Sequence, residues 1–388
     1  MRTLSLLKGL MAIAFVLLGV ELLFRQVIFP DYKALQQDMY VNHPLFRHYN
    51  KPNLAIRRYN PFNWDVVNYT NLLGMRGKEK DRTAELAGLW IGGDSNTFGG
   101  YVADEDVYVH RLRKHGYLSA NLASEGHNTS HQAVVVRWLA AEGYRPRAVL
   151  IGLSMYNGMT DFEPHRPLLD APLPSRTKPS SVTASDKLIG GFQVMWHEVP
   201  RGIKWVRALL IRNSAAYGWF KAGIMSVSGL RDWTLRAGLR ADLKTVFNHD
   251  IDLLRPYSHN NPAAAWAVST ADFAAALRDW VDGNLKVPFG IVIFPGYHQL
   301  YPEHFPYFLE KAGLSGQDLD PQRPLHALVA ALRERNVPVL DLLPALRASR
   351  VEPLTFPDDG HLNPQAHAVV AQAVANWLRD EMKVVPQP

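Results

Sequence analysis

Leu89–Gly100 reads LWIGGDSNTFGG. A short apolar run ends in two glycines, and Asp94, Ser95, Asn96 and Thr97 follow before two more. The run suits a strand buried on both faces, and the glycines let the backbone turn sharply at its end. Ser95 then stands at a strand tip, with its backbone N–H pointing toward the same place. Four similar runs lie outward from this one: Ala120–Ala123, Ala148–Leu153, Phe289–Phe294 and Val337–Leu342. Helical patterns separate most of them, at Val107–His115, Gln132–Ala141, Thr270–Leu285 and Leu325–Arg335. A last helix follows Asn363, which can cap it, and Pro364, which suits its first position. Ala366, Val369, Val370, Ala373, Val374, Trp377 and Leu378 give it one apolar face. Alternating strands and helices predict an α/β fold, a five-stranded parallel sheet sandwiched between helices. Right-handed crossovers put the strand C-termini on one edge, where ligands bind. Ser95, Ser124–Asn128, Ser154–Asn157, Pro295–His298 and Asp358–His361 all follow strands or fall in late loops, so they converge on that edge.

A serine hydroxyl needs a base to become a nucleophile. The candidate base lies in FPDDGHLNPQAH, where Asp358 and His361 are three residues apart in one loop. There the carboxylate orients the imidazole and stabilises its charged form. Read by itself, PDDGH is equally a polar turn before a helix. Asp359 is read as a turn residue, and His110 and His115 as surface residues of a helix. His127, His131 and His298 are read as polar rim residues, because metal sites need three or four converging ligands and no such spacing is present. No G-x-S-x-G elbow surrounds any serine.

Four blocks together resemble the SGNH or GDSL hydrolases, over about Asn71 to Leu378 outside one insertion. GGDSNTFGG resembles the block that supplies the nucleophile, here Ser95. NLASEGHNT resembles the second, whose glycine, Gly126, is expected to offer an oxyanion-hole N–H beside that of Ser95. VLIGLSMYNGMTDF resembles the third, whose asparagine would be Asn157. It departs from the usual Asn-Asp, with Gly158 following and Asp161 the next acid, which leaves Ser154 as the alternative donor. FPDDGHLNPQAH resembles the last block and supplies Asp358 and His361. NLLGMRGKE, Asn71 to Glu79, resembles a lead-in of exported bacterial members. The resemblance implies a flavodoxin-like three-layer α/β/α sandwich, no cofactor, and acetyl or short acyl esters on carbohydrate as substrate. Asp94, Asn96, Tyr297 and His298 are weaker candidates for touching substrate. Water as acceptor makes an esterase, a sugar hydroxyl makes an O-acyltransferase, and a catalytically idle scaffold or glycan-binding subunit of an envelope complex is a third reading.

The chain has 388 residues, 47% of them apolar and 20% charged, which is ample for a globular core. It has no cysteine, which excludes disulfides and a thiol nucleophile. Arg2 and Lys8 lead into GLMAIAFVLLGVELLF, interrupted only by Glu21. With Lys8 snorkelling, the span counted from Leu4 reaches about 20 residues, the length of a membrane-crossing helix. Residues 1–30 are therefore read as an uncleaved anchor. The basic end stays in the cytoplasm, and the rest lies on the periplasmic side of a bacterial inner membrane. Residues 31–87 form a lead-in, 88–161 and 263–388 the hydrolase domain, and 162–262 a basic, tryptophan-bearing helical insertion. Between Arg201 and Arg240 eight basic residues face one acid, Asp232, so that segment carries +7 and the rest of the chain, against a formal total of +6, is close to neutral. That segment can be a solvated cap, lie on a membrane surface or bind an anionic glycan. Nucleic acid is not an expected partner for a chain held outside the cytoplasm.

Overall fold

Residues 2–28, 39–43, 47–60, 63–78, 86–155, 210, 214–227, 229–230, 233, 264–306, 309, 319–356 and 359–387 are described by the computed structural model of the chain. They belong to two compact units. One comprises residues 1–38, 56–66 and 183–240, and the other 39–55, 67–182 and 241–388. The first unit begins with helix α1, Arg2–Leu23, continued by a π-helical turn over Phe24–Ile28. Its window Met11–Ile28 has a mean hydropathy of 2.0 and is 6% buried, so it is long and apolar enough to cross a membrane. Next along the chain, β1 (Tyr40–His43) pairs antiparallel with β2 (Arg47–Asn50) within the second unit, and β3 (Ala55–Asn60) pairs with β4 (Trp64–Tyr69). Of the expected insertion, only scattered residues are described. They include one helix, Ala215–Ser226.

The second unit is built on the sheet that the apolar runs predict. Its strands are β5 (Leu89–Gly92), β6 (Ser119–Asn121), β7 (Ala148–Ser154), β8 (Phe289–Phe294) and β9 (Val339–Asp341), parallel and in the order β6-β5-β7-β8-β9. Every residue of β5, β6, β7 and β8 is buried, as a parallel sheet covered on both faces requires. The edge strand β9 is half-buried and shorter than its apolar run.

Between β5 and β6 the chain forms α2 (Ser95–Phe98) and α3 (Tyr108–Arg111). The expected helix Val107–His115 is thus split. Its second half tightens into a 3-10 turn that ends at Gly116, whose φ of +80° is left-handed. Then come α4 (Thr129–Ala141), α5 (Ala215–Ser226), α6 (Ala264–Leu285), α7 (Tyr297–Leu300), α8 (Arg323–Glu334), α9 (Leu343–Ala348) and α10 (Pro364–Asp380). Helices α4, α6 and α8 pack together on one side, while α10 packs on α3 and α9. The result is a three-layer α/β/α sandwich.

Helix α10 is capped by Asn363, whose side chain accepts from the N–H groups of Gln365 and Ala366. Its buried face is rotated from the expected one. Val369 and Ala373 are half-buried, while His367, Ala371 and Ala375 are in the core. His367 belongs there because its Nδ1 accepts from the Tyr108 N–H at 3.2 Å. Burial, with Arg76, Arg111 and His361 nearby, lowers its pKa to about 3, so it stays neutral and can accept.

The lead-in before β5 is joined to the sheet by an isolated antiparallel bridge between Arg76 and Asn121. The Arg76 side chain is buried and fully engaged. Its Nε donates to Asp104 at 2.9 Å, one terminal nitrogen to the carbonyls of Phe98 and Gly99, and the other to that of Val102 at 2.5 Å. The Phe98 and Gly99 carbonyls end α2, so a cation sits where a helix C-terminus favours one. Replacing it leaves the Asp104 carboxylate unpaired in the interior, which costs about 3–5 kcal/mol. Arg76→Met is therefore expected to lose that much stability in urea unfolding of the full chain in detergent. A loss below about 1 kcal/mol would contradict this account of the clamp.

Candidate active site

Ser95 opens α2 at the tip of β5, and local chemistry holds it there. The Asp94 carboxylate accepts from the Asn96 N–H at 2.9 Å, and the Asp94 carbonyl from the Phe98 N–H at 2.8 Å. Gly99, in the left-handed region, closes the turn by donating to the Ser95 carbonyl. Gly93 has no room for a side chain, since a Cβ there would lie 2.0 Å from Thr97 Oγ1. Asn96 points along the rim and donates to Ser154 Oγ at 2.8 Å. Ser154, the alternative oxyanion donor, thus already serves as an acceptor at the end of β7.

His361 reaches this point from a loop 266 residues later, with its Nε2 2.8 Å from Ser95 Oγ. A tight turn presents it. The Asp359 and Gly360 N–H groups donate to the Phe356 carbonyl, the Phe356 N–H donates back to the His361 carbonyl, and Thr355 bridges Leu362. The other ring nitrogen, Nδ1, meets the Asp359 carboxylate. Asp359 is therefore more than a turn residue. Asp358, the acid singled out by its spacing, lies outside the described residues, as does Asn157. Tyr101 packs edge-on against the imidazole, with ring centroids 5.4 Å apart.

Burial alone would lower the His361 pKa. The Asp359 carboxylate, by charge and hydrogen bond, and Glu125 and Asp94 beyond it, outweigh burial and raise it to about 9. The imidazole is then charged at neutral pH, and its neutral form accumulates as the pH rises through that value.

Glu125 and Gly126 approach from the loop after β6. Gly126 is exposed, and its φ of +74° favours a residue without a side chain. Hairpin β1–β2 grips this loop. Tyr40 donates from its hydroxyl to Glu125 at 2.5 Å, His48 Nε2 lies 2.6 Å from the Glu125 carbonyl, and His127 Nε2 lies 2.6 Å from the His48 carbonyl. Asn50 donates to the Ala123 carbonyl and accepts from Ser124 Oγ. His131 is a structural residue rather than a rim residue, since it completes the capping box of α4 with Asn128. His110 is not a plain surface residue either. Its Nδ1 lies 2.6 Å from the Asp104 carbonyl, beside the Arg76 clamp.

The remaining candidates have defined surroundings. The Asp94 side chain is turned inward and buried. The Tyr297 hydroxyl lies 2.9 Å from His304 Nδ1. His298 is buried at the start of α7, and burial with His304 nearby lowers its pKa to about 4, so it is neutral. Arg76, Glu125 and His48 are not singled out by the sequence, and Asp359 is read from it only as a turn residue. The NLLGMRGKE resemblance marked the stretch around Arg76 without marking its role.

The sequence matches no protein-family model and no curated protein. Among solved structures, it is similar to a two-domain esterase active on acetylated mannans, co-crystallised with mannopentaose, at 14% identity and a TM-score of 0.34. That match covers 79% of this chain and 53% of the esterase, so the chain spans about half of that protein. A protein from Lactobacillus plantarum is similar at 13% identity and a TM-score of 0.33, over 76% of this chain and 96% of its own.

A base must be neutral to accept a proton. Turnover of a small neutral ester, corrected for spontaneous hydrolysis, should therefore rise with pH to a midpoint near 9. Asp359→Asn removes the largest raising influence, so the midpoint is expected to fall by more than about one pH unit. An unchanged midpoint in that variant would exclude Asp359 as the group that sets the charge of His361.

Proposed function

We propose that this chain is a serine esterase of the SGNH type, held in a membrane by its N-terminal helix. The observation that carries the reading is the 2.8 Å approach of His361 Nε2 to Ser95 Oγ at the C-terminal edge of a parallel sheet. A carboxylate on the opposite ring nitrogen supports it. A base hydrogen-bonded to a hydroxyl and oriented by an acid is the arrangement that activates a serine for acyl transfer.

In this reading His361 takes the Ser95 proton as the hydroxyl oxygen attacks an ester carbonyl. The acid is assigned to the Asp358–Asp359 pair. Asp359 has the contact to Nδ1, and Asp358 has the three-residue spacing of the motif. The tetrahedral oxyanion is stabilised by the N–H groups of Ser95 and Gly126 and by the Asn157 side chain. Each such donor contributes ~3 kcal/mol of barrier lowering. Collapse expels the alcohol with the proton from His361 and leaves an acyl-enzyme. Water then regenerates Ser95 and releases the acid, or a sugar hydroxyl takes the acyl group. Acetyl or short acyl esters on carbohydrate are the proposed substrate, on the resemblance of GGDSNTFGG and FPDDGHLNPQAH to that family. The charge of Arg2 and Lys8 favours a cytoplasmic N-terminus and a periplasmic catalytic unit.

Assay of the purified chain on p-nitrophenyl acetate, butyrate and octanoate, and on acetylated glycans, tests the reading. Short esters are expected to be cleaved, and Ser95→Ala is expected to lose at least ~1,000-fold of that activity while keeping its unfolding transition. Wild-type turnover in Ser95→Ala would overturn the assignment. Adding a sugar acceptor and analysing products separates hydrolysis from transfer. For topology, a C-terminal reporter active only in the cytoplasm is expected to stay silent.

A further inference from the structure

In the first unit, Glu21 is the only acid in the apolar span, and its carboxylate is fully engaged. Its Oε2 accepts from the Ser214 hydroxyl at 2.7 Å and from the Ala216 N–H at 3.3 Å. Its Oε1 accepts from the Ala215 N–H at 2.9 Å and pairs with Arg25 at 2.6 Å. Those N–H groups open α5, AAYGWFKAGIMS, so a carboxylate from one helix caps the positive end of another. Ser214 completes the cap by accepting from the Tyr217 N–H. In the π-helical turn that continues α1, buried Phe24 packs against Trp219 and Phe220, with centroids at 5.6 and 5.3 Å.

The depth of this contact follows from helix geometry. From Arg2 to Glu21 the helix rises about 29 Å, close to the thickness of a bilayer's hydrocarbon core. Glu21 therefore lies at the boundary opposite the cytoplasmic end, and the cap fixes the start of α5 at that depth. Aromatic side chains favour this boundary, and Lys221 can extend from it to the headgroups. Phe220 is 51% exposed and Trp233 58%, and Val227 and Leu230 are also exposed. Four large apolar side chains open to water in one short stretch need a cover. Continuity with the apolar helix makes that cover lipid.

We propose that α5 and the residues just after it are a membrane-docking surface. Helix α1 tethers it through Glu21, and Phe220, Val227, Leu230 and Trp233 enter the outer boundary of the bilayer. This rests on the proposed membrane span.

Because the chain has no cysteine, single-cysteine variants carry a fluorophore at one known place. Phe220→Cys and Trp233→Cys, with Phe15→Cys as the control inside the span, are labelled and reconstituted into vesicles with and without nitroxide-labelled acyl chains. The nitroxide is expected to remove at least about half of the fluorescence at all three positions. Quenching at Phe15→Cys, with none at Phe220→Cys or Trp233→Cys, overturns the docking surface and leaves the span standing. No quenching at any position overturns both. Adding Glu21→Leu to Phe220→Cys is expected to reduce quenching at least twofold, and unchanged quenching overturns the tether.

Discussion

The guanidinium of Arg76 is the group on which the geometry of the second unit depends most. It is buried, and it joins a residue of the lead-in to the carbonyls that end the helix of Ser95 and to the carboxylate of Asp104. A helix of four residues cannot hold itself. Its end carbonyls, packed away from water, need donors, and a planar cation with five N–H groups supplies them. The backbone of Arg76 meanwhile bridges Asn121 of the neighbouring strand. The nucleophile turn, the strand before the Gly126 loop and the lead-in are thus connected through one residue.

A second constraint is electrostatic. His361 stands among Asp359, Glu125 and Asp94, and their charge overcomes the effect of burial on the imidazole. An arrangement that stabilises imidazolium suits the state a general base reaches after accepting a proton, at the cost of less neutral base at pH 7. Glu125 is fixed in turn by Tyr40, so the hairpin β1–β2 acts on the site through that carboxylate as well as through the Gly126 loop. His367, buried against Tyr108 of α3, has the opposite fate. Without an adjacent acid, burial and nearby cations keep it neutral.

The sheet was legible because its strands are buried on both faces and appear in the sequence as unbroken apolar runs. Val337–Leu342 was overdrawn because an edge strand stops pairing before its apolar run ends. Gln132–Ala141 began late because Asn128 and His131 form a capping box, and polar caps carry no apolar period. The α10 face was misjudged by a fraction of a turn because alanines and a buried histidine look alike to a hydrophobic period. In the site, Ser95 and His361 were legible from short local patterns. Glu125, His48 and Arg76 were not, because their contacts join residues up to 85 positions apart through side-chain bonds. Such bonds leave no periodicity. Asp358 and Asp359 are adjacent, and sequence spacing selected one while the described contact belongs to the other.

The central claim is that Ser95 is a nucleophile activated by His361. The most direct measurement is labelling of the purified chain with a fluorophosphonate, followed by mass-spectrometric mapping of the adduct. The account predicts a single adduct on Ser95, forming faster at pH 9 than at pH 7 and lost in His361→Ala. An unlabelled chain, or an adduct on any other residue, would contradict it.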